Sequence, residues 1–285
     1  MVTSNPQAKI WQQLVQKTDE KKVTILRNLS RFPSYREEFA VPYLVLVYCQ
    51  QGEAQLSYDN KKMSIVPGSI TIWQPGHVLR VEEHTENYKM SILVLAKDIY
   101  DAWRRVSGNL FIRFIQSPSF VATSDQIVHI KDAIRMVENH VSLEYATKDE
   151  DLMSLLKIVF NMIGLYSQAQ SAKPIRKLNH NEEIFMQFYD LLLEHYAEAR
   201  DIAFYANKLC ISPKYFSAII LKATGITAMD WITNYVIMRA QLLLKHHREI
   251  SIQDVGYQLG FNEQAAFSRY FRREAGMTPS QYRAQ

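Results

Sequence analysis

Arg269, Arg272 and Arg273 share one short segment with Phe267, Tyr270 and Phe271, in EQAAFSRYFRREAG near the C-terminal end of the chain. On a helix the three aromatic residues recur at three- and four-residue steps and take one face. That turns Ala265, Ser268, Arg269 and Arg272 to the opposite face. An arginine fork can grip guanine O6 and N7 with two hydrogen bonds, a serine hydroxyl can bond to several base edges, and an alanine can touch a thymine methyl. The outward face lacks the Glu/Lys alternation of an ordinary solvated helix. Such a face suits a DNA major groove, with Arg269 and Arg272 both turned toward it.

The same construction occurs earlier in the chain. Ser212 and Pro213 make a helix start of cap serine plus first-turn proline, KYFSAIILKATG continues it, and Gly225 closes it. Phe216, Ile219, Ile220 and Ala223 fall at core spacing, which leaves Lys214, Ser217, Ala218 and Leu221 on the other side. A shorter helix precedes each: IAFYANKLC in the first copy, and IQDVGYQL, capped by Ser251 and ended at the GFN turn, in the second. Two helix-turn-helix units are therefore expected. Ala228 to His246 is an uninterrupted helical pattern between them, with Trp231, Ile232, Tyr235, Met238, Leu242 and Leu243 on its buried side. At ~1.5 Å per residue it spans roughly 28 Å, which with its flanking turns approaches the ~34 Å of one DNA turn. Lys245, His246, His247 and Arg248 put cations at its end, where phosphate contact and the helix dipole explain them equally well.

The rest of the chain must carry these helices. With 285 residues, 47% hydrophobic and 22% charged, two folded domains are expected. The net charge of +4 divides as +2 on each side of Pro174, so any field toward nucleic acid comes from local placement. Residues 1–22, with no basic start or apolar stretch of a signal peptide, read as an N-terminal segment of flexible character, and the protein is expected in the cytoplasm. Cys49 and Cys210 are far apart and in no metal-ligand spacing, and Cys210 reads as a buried small apolar residue.

From about Val23 to Ala96 the pattern has period two, broken at Asp59-Asn60, Pro67-Gly68 and Pro75-Gly76, as in a run of short antiparallel strands forming a sandwich or small barrel. Leu44, Leu46, Leu56, Ile65, Ile70 and Ile72 suggest a closed, filled core. Helical pattern follows at about Asp125–Tyr145 and Lys148–Gln168, with a short strand at SFVAT before it. In the second helix Leu152, Leu155, Leu156, Val159 and Ile163 form a continuous apolar stripe with Tyr166. That stripe either packs on the rest of its domain or forms a two-fold interface with a second copy. The expected organisation is an α+β chain: a strand domain with appended helices over 23–170, a linker over 171–180 and an all-α domain over 181–285.

The C-terminal motif, ISIQDVGYQLGFNEQAAFSRYFRREAGMTPSQYR, resembles that of the AraC/XylS family of bacterial transcription regulators, over roughly Asn181 to Arg283. The resemblance implies promoter binding with the second helix of each unit in the major groove. By position it assigns base contacts to Lys214, Ser217 and Ala218 in the first unit, and to Gln264, Ala265, Ser268 and Arg269 in the second. Lys222, Lys245, Arg272 and Arg273 are candidates for phosphate. Three positions depart from the family pattern. Gly256 stands where alanine normally packs, at ~1 kcal/mol of helix propensity, Val236 where arginine is frequent, and Leu221 where lysine is frequent. Ala218 and Leu221 leave the first reading helix unusually apolar. The strand region, through PGSITIWQPGHVLR, is similar to the cupin-like barrel that many members carry.

Cupin-like barrels also house metal-dependent enzymes, which need a histidine cluster, commonly in H-x-H spacing. His77 and His84 share no strand face by simple counting, and no nucleophile elbow or phosphate loop is present, so neither a catalytic site, a metal nor a cofactor is expected. Tyr43, Trp73, His77 and Arg80 could line the mouth of an effector site, though each also suits a packed or rim position. Expected partners are double-stranded promoter DNA, RNA polymerase, a second copy of the chain and a small effector. The alternative is a non-enzymatic interaction protein whose helical domain binds another protein.

Overall fold

A computed structural model describes residues 22–30, 39–59, 61–142, 149–170 and 177–284, together with Thr18 and Phe32. Most of the N-terminal segment and residues 171–176 of the expected linker lie outside the described residues.

Strand alternation in the first third folds as two facing antiparallel sheets. β1 (Val23–Leu29), β8 (Lys89–Leu95), β3 (Leu44–Gln51), β6 (Ser69–Trp73) and β9 (Ser119–Val121) form the first in that order, and β2 (Phe39–Ala40), β7 (Val78–His84), β4 (Ala54–Tyr58) and β5 (Lys61–Ile65) the second. The barrel is cupin-like, and its interior is filled by its own side chains, among them Phe32, Leu56, Tyr58, Trp73, Tyr88 and Met90. β3 reads LVLV because its sheet is covered on both faces: Val45 and Val47 point into the barrel, Leu44 and Leu46 away from it. The six aliphatic residues expected in one core thus divide, with Leu56 and Ile65 inside the barrel and Leu44, Leu46, Ile70 and Ile72 on its outer face.

That outer face is covered by helices. α1 (Lys97–Val106) and α2 (Gly108–Gln116) are followed by β9, at the SFVAT stretch, and then by the antiparallel pair α3 (Ser124–Ser142) and α4 (Asp149–Gln168). Leu152, Leu156, Val159 and Ile163 of α4 are all buried, in a core shared with Trp103 and Phe114 of α1 and α2. The apolar stripe of α4 is therefore covered within the chain, which corrects its reading as a dimer surface: of the five residues proposed, Leu155 alone is partly exposed. The pair instead exposes Met136, Ile158 and Leu165.

The C-terminal part is all helical: α5 (His180–His195), α6 (Ile202–Lys208), α7 (Pro213–Thr224), α8 (Ala228–His246), α9 (Ile252–Gln258), α10 (Gln264–Ala275) and α11 (Pro279–Ala284). A capping box between Asn179 and Glu182 starts α5, and Asp201, Ser212, Thr227 and Ser251 each cap the helix that follows with a side-chain oxygen. No helix among the described residues is long and apolar enough to cross a membrane.

Candidate nucleic-acid interface

The helix pairs α6–α7 and α9–α10 take the helix-turn-helix form that the two sequence copies predict. In each turn one residue adopts a left-handed conformation, Cys210 (φ 55°) in the first and Gly260 (φ 74°) in the second. The hydrogen bonds match: Cys210 and Ile211 donate their amides to Asn207 and Ala206, Gly260 and Phe261 theirs to Tyr257 and Gly256. Cys210 is exposed at this turn, not buried as its type suggested, because the turn needs its backbone rather than its side chain. Gly260 has a second reason to be glycine, since a Cβ there would stand 1.7 Å from the carbonyl oxygen of Ala197. Gly225 and Gly276 end α7 and α10 in the left-handed region.

The second unit holds its second helix, α10, through its own core. Phe267 and Phe271 are fully buried against Val255, Leu259 and Val236, with the Phe261 ring tilted against that of Phe267. Gly256 lies close to Phe267: an added Cβ would be 3.2 Å from the phenylalanine Cβ, so an alanine there would press on that side chain. Val236, where arginine is frequent, is buried in the same core. Arg200 fixes the turn from outside: it donates to the Leu259 carbonyl and lies 3.7 Å from the Phe261 ring centre, and burial lowers its pKa.

On the free side of α10, Gln264, Ala265 and Arg269 are exposed and Ser268 is half-buried. Arg272 lies one turn further along the same face, also exposed. Arg273 folds back, pairing with Glu274 at 2.5 Å and lying over the Tyr270 ring. On α7, Lys214 and Ala218 are exposed, Ser217 is half-buried and donates its hydroxyl to the Pro213 carbonyl, and Leu221 is 49% exposed. Lys222 is exposed on the flank. Tyr215, 47% exposed beside Lys214, extends this face, although periodicity alone did not single it out.

Lys245 departs from its assignment to phosphate. Its ammonium lies 5.0 Å from the Tyr282 ring centre, buried among α8 and α11, and burial lowers its pKa. An ammonium buried out of reach of solvent is poorly placed to meet DNA.

The four residues expected to line an effector mouth do not converge. Trp73 is packed in the barrel interior, and Tyr43 faces a cavity bounded by Tyr100, Tyr189, Tyr235 and Leu242. Arg80 pairs with Glu82 at 3.1 Å and borders a different recess, beside Thr233 and Arg273. His77 is fully buried: its Nδ1 meets Asp59, its ring stacks on Tyr58, and Trp231 of α8 meets it edge-on at 4.8 Å. His77 thus joins the barrel to the helical part rather than lining an open site.

Further ties run from the barrel side into the first unit. Arg104 of α1 is buried between the rings of Phe111 and Tyr189 and donates to Asp190 of α5 at 2.7 Å. Gln116 of α2 donates to the Ala223 carbonyl in the last turn of α7 at 2.8 Å. Phe111 of α2 stacks on Phe185 of α5. A buried arginine among aromatic residues gives no periodic signal, so Arg104 was not apparent in the sequence.

Comparison with known proteins accords with this geometry. A sequence model described as a helix-turn-helix domain matches residues 205–285, and one described as an AraC-like ligand binding domain matches residues 31–156. The arabinose operon regulatory proteins of Salmonella typhimurium and Escherichia coli are each 37% identical over 92 residues, 32% of this chain and 32% and 31% of theirs. The transcriptional regulatory protein HptR of Staphylococcus aureus is 25% identical over 159 residues, 51% of this chain and 62% of that protein. The chain therefore spans about a third of the length of the two arabinose regulators it matches. In overall fold it is similar to ToxT from Vibrio cholerae, whose unsaturated fatty acid bound form gives a TM-score of 0.55 at 17% identity, covering 92% of this chain and 94% of that one.

Proposed function

Because the chain belongs to the AraC/XylS family of transcription regulators, we propose that it binds promoter DNA in a sequence-specific manner and regulates transcription from the sites it occupies. The observation that carries this reading is the free face of α10, where Gln264, Ala265, Ser268 and Arg269 stand together on a helix anchored from behind by Phe267 and Phe271. Seated in a major groove, that face offers Arg269 to guanine, Ser268 to either edge and Ala265 to a thymine methyl. Lys214, Ser217 and Ala218 of α7 supply a second, weaker reading surface in a neighbouring groove, and α8 sets the distance between the two. Lys222 and Arg272 reach phosphate.

The barrel acts as a sensor or dimerisation domain, with a small effector, a second copy of the chain and RNA polymerase as partners, in the cytoplasm. The match to an AraC-like ligand binding domain supports the first of these. Helices α3 and α4 offer Met136, Ile158 and Leu165, not the buried stripe, as the contact for a second copy.

Selection of bound duplexes from a random library with the full chain tests the reading. The expected outcome is an enriched sequence motif, lost steeply as salt rises. Retention of every duplex with equal affinity, or of none, overturns it.

A further inference from the structure

The barrel interior is full, yet a cavity of about 340 Å³ lies outside it, between the outer face of the five-stranded sheet and α3. Its floor follows from strand register. Ile25 pairs with Leu93 and Leu93 with Leu46, and these aliphatic side chains point the same way across β1, β8 and β3. Two residues along, Tyr48 lies between Ser91 and Ile70. The roof is α3, whose Ile127, Ile130 and Ile134 recur at helical spacing and face the sheet. Elsewhere the same sheet face is closed by Trp103, Phe111 and Phe114, whereas α3 brings no aromatic residue to its part and a gap remains.

One border of the cavity is polar and cationic. Lys131 and Arg135 each follow a roof isoleucine by one residue, and Arg27 borders the floor. Arg27 spans from β1 to α3 by donating two hydrogen bonds to Glu138, and Arg135 pairs with Asp132 at 2.9 Å. Lys131 meets no carboxylate among the described residues; its ammonium lies 4.9 Å from the centre of the Tyr48 ring. Three cations against two carboxylates leave this border positive beside an aliphatic chamber.

We propose that this cavity binds a small aliphatic carboxylate, with its hydrocarbon body between the isoleucines of α3 and the sheet and its carboxylate at Lys131 and Arg135. The walls fit an apolar body of flexible shape, and Lys131 is the charge left for an anionic head. Occupancy would add contacts between α3 and β1, β3 and β8, where the chain itself leaves a space. The inference concerns binding by the sensor domain and goes beyond the DNA reading, which stands or falls separately by duplex selection.

The test uses the full chain, labelled at isoleucine and methionine methyl groups, with decanoate as the probe and decyltrimethylammonium as a probe of similar body and opposite charge. Decanoate is expected to shift the methyl signals of Ile25, Ile70, Ile127, Ile130 and Ile134, leaving Met238, in the cavity beside Tyr43, unmoved. Lys131→Gln combined with Arg135→Gln is expected to weaken decanoate at least tenfold, and the cationic probe is expected to bind at least tenfold more weakly than decanoate. Ile134→Trp, which fills the chamber, should abolish the shifts. Should that variant fail to fold, the two surface substitutions still decide the matter. Shifts confined to Met238, equal affinity for both probes, or unchanged affinity in the double variant would each overturn the proposal.

Discussion

The two helix-turn-helix units share caps, turn hydrogen bonds and glycine stops, and differ in what lies behind them. Behind α7 the core runs without a break through Phe188, Phe185 and Trp231 to Phe111 and the outer face of the barrel. Behind α10 a separate core of Val255, Leu259, Phe267 and Phe271 rests on α8. Their free faces differ in the same sense. Ala218 and Leu221 in the first unit occupy the places of Arg269 and Arg272 in the second. The unit fused to the barrel carries the plainer surface, and the unit with its own core carries the arginines. Attachment to the barrel and a free face rich in arginine are thus divided between two copies of one motif.

The largest test of this division is in stability. Phe188→Ala and Phe271→Ala should each cost about 3–5 kcal/mol, as truncation of buried phenylalanine does. Their reach should differ. In hydrogen exchange, Phe271→Ala is expected to expose the amides of α9 to α11 and leave the barrel protected, whereas Phe188→Ala should loosen α1 and α2 along with α6 and α7. Identical exchange patterns would mean that the two cores are one.

Next in size is recognition. Arg269→Ala should lose about 1–3 kcal/mol at a single base position, read from binding to a panel of point-substituted sites. Ala218→Gly, at the matching place in α7, should change that panel by less, because Ala218 offers a base only a methyl contact. Uniform weakening of every site by Arg269→Ala would identify the arginine as a phosphate contact instead.

A smaller effect separates the turns. Cys210 holds a left-handed conformation that glycine adopts without cost, so Cys210→Gly should stabilise the first unit by about 1 kcal/mol in thermal unfolding. Gly260→Ala should have the opposite sign and exceed that magnitude, because the new methyl meets the Ala197 carbonyl. Two changes of like sign would show that the turns are not equivalent. Smallest is the salt dependence. Arg272→Ala should reduce the slope of log affinity against log salt by about 1, and Leu221→Arg should steepen it by a similar amount. No change with Leu221→Arg would place α7 away from phosphate.

The elements just tested were legible to different degrees. Period and punctuation are local, so the caps at Ser212 and Ser251, the extent of α8 and the strand run from Val23 could be read directly. What a face packs against is not local. The stripe of α4 has the same spacing whether it meets a partner or its own domain, and its burial depends on α1 and α2 arriving over it. The LVLV run of β3 gave no sign that alternate residues serve two cores. His77 and Trp231 are far apart in sequence, and neither pattern anticipates that they touch. Gly256 registers in a helical pattern only as a propensity cost, because the approach of Phe267 to it is not local.

The continuous core behind α7 also bears on modularity. Regulators of this architecture invite recombination, in which the sensor of one chain is joined to the reading helices of another. Here Phe185, Tyr189 and Trp231 are finished by contacts from α2 and from His77. A chimaera cut between α4 and α5 would inherit these rings without their covering, and would need a host that presents equivalents of Phe111, Arg104 and His77. Grafting only α9 to α11 onto a relative's α8 crosses no such seam, so specificity is better exchanged there.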